Sequence, residues 1–243
     1  MTGESLISLT AGWPLIAGVG ALAALMSYAI GSIPWAFIIV RSVTGEDITT
    51  HGTGNVGAMN VRRTTGSWGW FAVAMLADIG KGLVPVAIAK YLTMAAVIEP
   101  VGVMLASSPT VWPGAAVTMA SVAGAVVGHN YSLWMALRSR AFSRTGKGLA
   151  TGAGALLAYD WRYFLAVVVV GLTVIALSRY MMAGQVAASA TLPIAAWALR
   201  SPDWPFALVM GAVVYAAHHR RFMGLLRGEE PHFYIHDRGG PRG

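Results

Sequence analysis

Long apolar runs separated by short polar connections dominate the chain. Crossing roughly 30 Å of hydrocarbon takes about 20 helical residues, fewer where protein shields half a helix. Seven segments qualify on that basis: residues 14–40, 68–94, 111–134, 148–158, 163–177, 183–199 and 204–217. The pattern predicts an all-α integral membrane protein with seven transmembrane helices. The fourth segment is the shortest and is rich in glycine and alanine. The first has no basic flank before it and no small-residue cleavage site, so it reads as a retained helix rather than a removable signal peptide. Residues 1–243 read as a single membrane-embedded domain, with 228–243 a polar, flexible tail. Gly12, Gly18, Gly171 and Gly184 are small residues expected to let neighbouring helices approach closely.

Composition agrees, since 56% of residues are apolar and only 11% charged. The formal charge of +7 would suggest nucleic acid in a soluble domain, but the basic residues here sit in the connections between apolar runs. No nucleic-acid partner is expected. Thirteen Lys and Arg residues fall in the connections after the first, third and fifth spans and in the tail, against Arg162 and Arg200 on the other side. By the positive-inside rule the amino terminus lies outside, and the carboxyl terminus lies in the cytoplasm. With no cysteine in the chain, thiolate nucleophiles, disulfides, iron–sulfur clusters and acyl transfer through an enzyme thioester are excluded. The ten acidic residues are scattered, so no paired magnesium site, and no metal or cofactor site of any kind, is expected.

Candidate chemistry concentrates in residues 51–63, HGTGNVGAMNVRR, on the cytoplasmic side after the first span. Gly52, Gly54 and Gly57 would let backbone N–H groups converge on one anion, Thr53 adds a hydroxyl donor, and Arg62 and Arg63 add forked positive charge. A flexible turn would not need Asn55, Asn60 and Arg63 beside the glycines. The literal GxGxxG within this loop follows a membrane helix and no strand, so a dinucleotide site is rejected. Asp78 and Lys81 put opposite charges three residues apart on one face of an apolar helix, a costly arrangement that marks either function or a self-neutralising pair. Lys90 lies near a span end, where it can snorkel. His129 ends the third span, and the basic connection 138–144 then leads to Gly146-Lys147-Gly148, which resembles a phosphate cradle opening a helix.

These stretches together resemble the PlsY family of bacterial acyl-phosphate:glycerol-3-phosphate acyltransferases. The similarity is carried by Gly31-Ser32-Ile33-Pro34 with Arg41, Asp47-Ile48, GTGNVGAMN with Arg63, and Asp78 with Lys81-Gly82. It continues through Gly128-His129, Gly146-Lys147-Gly148 with Ala150-Thr151, and His218 before Leu225-Leu226-Arg227-Gly228. The resemblance implies an enzyme of the bacterial inner membrane, its site facing the cytoplasm. It would transfer a fatty acyl group from acyl phosphate to glycerol 3-phosphate, giving lysophosphatidic acid and phosphate. It implies catalytic roles for Thr53, where the family has serine, and for Arg63, Lys147 and His218. Substrate or phosphate contacts are implied for Ser32, Arg41, Gly52, Gly54, Asn55, Gly57, Asn60, Asp78, Lys81, His129, Gly146 and Gly148. The implied partners are acyl phosphate, glycerol 3-phosphate and membrane lipid.

The chain departs from the family pattern at several positions. Thr49 stands where the family has arginine, Met59 replaces the threonine of GATN, and Thr145 replaces the first of two glycines before the lysine. Met182 and Arg221 fall where serine and asparagine are expected, and residues 138–144 lengthen the connection between His129 and Lys147. Two other classes remain on the sequence alone. One is a transporter or flippase for phosphorylated metabolites. The other is an acyltransferase of the unrelated His-x4-Asp type, matched literally by His232 and Asp237 in the tail.

Overall fold

A computed structural model describes residues 3–94 and 114–230, with the side chains at some helix positions, His218 among them, outside the description. Its described residues form helices and no strands.

Helix α1 (Gly3–Gly31) runs into Ser32-Ile33-Pro34 and stops. Proline has no N–H to donate and disfavours helical backbone in the residue before it. The first apolar run is therefore two helices and not the continuous one expected over 14–40; α2 (Trp35–Thr44) starts afresh after Pro34 and ends on Gly45 in the left-handed region. A 3-10 turn (Ile48–Thr50) follows, capped by the Asp47 carboxylate, which accepts from the Thr49 N–H. The glycine loop then leads into the short α3 (Ala58–Thr65), and α4 (Trp68–Met94) carries the second run with Pro85 inside it. Helix α5 (Gly114–Asn130) is followed by α6 (Leu133–Ser139), whose Ser132 cap accepts from the Met135 N–H. After the basic connection come α7 (Leu149–Tyr159), α8 (Trp161–Ser178), α9 (Met181–Ala198) and α10 (Trp204–Leu226).

Among the described residues, three stretches suffice by length and composition to cross a membrane: Ile16–Thr44, Trp68–Thr93 and Trp161–Ser178. The apolar helix Leu149–Tyr159 is only about 16 Å long at 1.5 Å per residue, half the hydrocarbon thickness. Large apolar side chains such as Leu25, Leu76 and Leu177 point outward at 67%, 67% and 83% exposure, as a lipid-facing surface requires.

The chain forms two compact units, Met1–Phe164 and Leu165–Gly243. In the first, α1 and α5 approach so closely that a methyl group on Gly31, Gly124 or Gly128 would strike the backbone of Ala125, Ala24 or Tyr28. Ser27 and Ser121 hydrogen-bond across the same seam at 2.7 Å. Helices α4 and α7 meet in the same way, Gly82 against Thr151 and Gly154 against Ile79. In the second unit, Gly184 lies against the carbonyl of Gly171 and the side chain of Ile175. The expectation for Gly171 and Gly184 thus holds, but Gly18 has no heavy atom within 4 Å of a would-be side chain and is not a packing glycine. The surroundings of Gly12 lie outside the described residues. Lys90 does not snorkel outward. Its ammonium donates to the carbonyls of Ala158 and Tyr159, both at 3.1 Å, and so caps the negative end of α7.

Candidate active site

The glycine loop rests on a small apolar core in which Ile39, Val40, Ile48, Val56, Val61 and Met135 are buried together. Buried Asn60 shapes it from within. Its amide donates to the carbonyls of Ile48 and His51 at 3.1 and 3.0 Å, and its oxygen accepts from the Thr53 N–H at 3.3 Å. Gly52 and Gly54 both take left-handed backbone, at φ 55° and 67°, a conformation open to glycine at little cost. The N–H groups of Thr53, Gly54, Val56 and Gly57 donate to Asn60, His51, Thr145 and Asn55. These bonds hold the loop in a tight shape. Thr53 and Arg63 are exposed, and the Arg63 stem passes 3.4 Å from the position a side chain on Gly52 would take.

The second predicted loop is stitched to the first. Thr145 accepts the Val56 N–H through its carbonyl at 2.8 Å, and its own N–H donates to Asn130 at 2.8 Å. Gly146 lies directly on the His129 ring, where a methyl group has no room, and Gly148, at φ 77°, opens α7 beside the Asn130 side chain. Lys147 is half-buried between two glycines in the segment that is stitched to the glycine loop.

A cavity of about 450 Å³ opens where the loops join, lined by Asp47, Thr49, Gly54, Val56, Met135, Arg138, Ser139, Ser143, Arg144 and Thr145. Of the residues predicted from sequence, Gly54 alone lines it. Arg138 donates to Asp47 at 2.7 Å and lies over the Phe37 ring, while Arg144 donates to the Gly146 carbonyl at 3.0 Å. Hydrogen bonds from the Thr49 hydroxyl and N–H, with Arg138 adding, hold the Asp47 carboxyl down to about 2. Partial burial lowers the Arg144 guanidinium from its ordinary value. The four residues Asp47, Thr49, Arg138 and Arg144 were not singled out in advance as site residues. The signal available was the run of basic residues at 138–144.

Other predicted residues lie deeper. Ser32 is fully buried, and its hydroxyl donates back to the Tyr28 carbonyl at 2.6 Å. Asp78 and Lys81 pair at 3.0 Å with both side chains buried, and Lys81 also donates to the Ile33 carbonyl at 3.0 Å. The pair thus satisfies backbone left open where α1 breaks. His129 Nδ1 lies 3.7 Å from the Asp78 carboxylate, beyond hydrogen-bond reach. Arg41 sits exposed on α2, donating to the Gly45 carbonyl. Asn55 is half-buried, its amide beside Gly57 at the start of α3. His218 belongs to α10, and its side chain is outside the described residues.

A family model described as glycerol-3-phosphate acyltransferase matches residues 21–228. The chain belongs to the glycerol-3-phosphate acyltransferase family. The family's enzyme from Thermosynechococcus vestitus is 34% identical over 213 residues, covering 86% of this chain and 93% of that one. The enzyme from Synechococcus sp. (strain JA-3-3Ab) is 36% identical over 212 residues, covering 86% and 91%. The fold matches the crystal structure of PlsY, an integral membrane glycerol 3-phosphate acyltransferase, in its glycerol 3-phosphate form. That match has a TM-score of 0.70 at 24% identity, covering 88% of this chain and 96% of that one. The lysophosphatidic acid form of the same protein matches at 0.68.

Proposed function

We propose that this acyltransferase moves a fatty acyl group from acyl phosphate to the sn-1 hydroxyl of glycerol 3-phosphate. The hydroxyl oxygen attacks the acyl carbonyl carbon, the bond from that carbon to the phosphate oxygen breaks, and lysophosphatidic acid and phosphate leave. The donor is already an activated mixed anhydride. The protein therefore has mainly to hold two anionic phosphates close together and orient one hydroxyl. The observation that best supports this reading is the stitch between the two chain segments that carry the candidate residues, Val56 N–H to Thr145 carbonyl at 2.8 Å, with Thr53 and Arg63 flanking Val56 in sequence and Lys147 following Thr145. The resemblance assigns His218 to orienting or deprotonating the hydroxyl, with a donor phosphate oxygen the other acceptor for that proton.

The same reading places one domain over residues 1–243 in the bacterial inner membrane, with seven spans, the amino terminus outside, and the loops and carboxyl terminus in the cytoplasm. Its support is the thirteen-to-two asymmetry of Lys and Arg together with the apolar helices. Purified protein given acyl phosphate and labelled glycerol 3-phosphate is expected to move the label into an extractable lipid. Passage of unmodified label across a vesicle membrane without donor, and no lipid product, would overturn it in favour of transport.

A further inference from the structure

A file of buried polar groups joins the break after α1 to the segment that carries Lys147. At one end the Ile33 carbonyl accepts from the Lys81 ammonium at 3.0 Å, and Lys81 pairs with Asp78 at 3.0 Å. The His129 ring comes next, its Nδ1 3.7 Å from the Asp78 carboxylate and its opposite edge, Nε2 and Cδ2, against Gly146. Asp78, Lys81 and His129 are 3%, 6% and 7% exposed, so their side chains are closed to a substrate arriving from the surface. A second tie runs alongside. The Ser132 hydroxyl donates to the Ser32 carbonyl, and the Ser132 N–H donates to the Thr145 hydroxyl at 3.3 Å. The Asn130 carbonyl accepts the N–H groups of Thr145 and Gly146 at 2.8 and 3.4 Å.

Taking two charges out of water is costly, and an apolar pair of similar volume would hold α4 in place as well. A pair that served only to neutralise itself would need neither the Ile33 carbonyl nor the imidazole beside it. The ring has a mechanical effect: a side chain on Gly146 would strike Nε2, Cδ2 and the His129 carbonyl, so the ring sets the height of Gly146 and of Lys147 after it. A reacting contact displaced by about 1 Å loses roughly 100-fold in rate. We infer that Asp78, Lys81 and His129 are positioning residues for acyl transfer, touching no substrate and setting the Lys147 segment relative to the break that leads into α2 and the glycine loop. The inference rests on the acyl-transfer reading above and replaces the substrate contacts that the resemblance implies for these three residues.

The test is a cycle of His129→Ala, Lys147→Ala and the two combined, with His129→Phe and the neutral double variant Asp78→Asn, Lys81→Met beside it. The readouts are kcat, KM for each substrate and thermal midpoint. His129→Ala is expected to lose about tenfold or more in kcat/KM, and His129→Phe, which restores the bulk under Gly146 but offers a phosphate nothing, should recover most of it. In the Lys147→Ala background, adding His129→Ala should cost less than about threefold, because a group that acts through Lys147 has nothing left to position. The neutral double variant should keep its midpoint within a few degrees and lose about tenfold in kcat with little change in either KM. Losses that multiply in the cycle, a His129→Phe as poor as His129→Ala, or a parent-like Lys147→Ala would overturn the positioning role and leave the acyl-transfer reading intact. Parent-like turnover in the neutral double variant would reduce Asp78 and Lys81 to a self-neutralising pair; if that variant does not fold, the His129 cycle decides alone. If the parent makes no product, the acyl-transfer reading fails, and the same cycle is read on calorimetric binding of inorganic phosphate, as it is where Lys147→Ala turns over too slowly to measure. A His129→Ala loss present with Lys147 and absent without it supports positioning, and equal binding in all variants overturns it.

Discussion

In the first loop, glycine serves backbone conformation. Gly52 and Gly54 both have positive φ, which glycine adopts at little cost. The Gly54 N–H donates to the His51 carbonyl, and Asn60, legible from sequence only as a polar neighbour, braces the turn from within by accepting from the Thr53 N–H and donating to the Ile48 and His51 carbonyls. Gly54→Ala would force a side chain into left-handed backbone and place its methyl 3.0 Å from the Thr49 carbonyl, on the cavity wall. Substrate KM is expected to rise at least tenfold, while the thermal midpoint drops by only a few degrees, since a strained residue costs about 1 kcal/mol. Thr53→Ser keeps the hydroxyl donor and should remain active, whereas Thr53→Val should lose most turnover. Saturation curves for glycerol 3-phosphate with midpoints for all three variants decide it, and parent-like curves for both Gly54→Ala and Thr53→Val would reduce the loop to a connector.

Among the elements, apolar length located the helices well and their interruptions less well. The bounds of α4 match the predicted run of 68–94, and α7 through α9 fall within about two residues. Pro34 split the first run, a break its position announced and a hydropathy count does not see. Which glycines pack was not legible either, because contact depends on which helix lies opposite. Gly18 faces nothing within 4 Å, while Gly31, Gly124, Gly128, Gly82 and Gly154 form the seams. Gly154→Val puts side-chain atoms into the backbone of Ile79 and must push α7 from α4. A loss of about 1–3 kcal/mol is expected, read as a lowered thermal midpoint in detergent, with Gly18→Val near the parent. A Gly154→Val midpoint equal to the parent's would contradict the packing described.

At the level of the whole molecule, the proposed orientation rests on the asymmetry of Lys and Arg between the connections. Single cysteines introduced at Ser5 and Arg238 of this cysteine-free chain should react with impermeant reagent from opposite sides of sealed cells. Labelling of both from one side would contradict seven spans. The reaction itself was legible through motif order along the chain, and membership of the glycerol-3-phosphate acyltransferase family agrees with it. The meeting of the 138–144 connection with Asp47 was not legible, being a contact across 91 positions of sequence. The most direct measurement follows phosphate release and lipid ester formation together, in purified protein supplied with acyl phosphate and glycerol 3-phosphate. One phosphate released for each lysophosphatidic acid formed, and neither when glycerol 3-phosphate is withheld, is the predicted result; no coupled release with these or related acyl and polyol phosphates would contradict it.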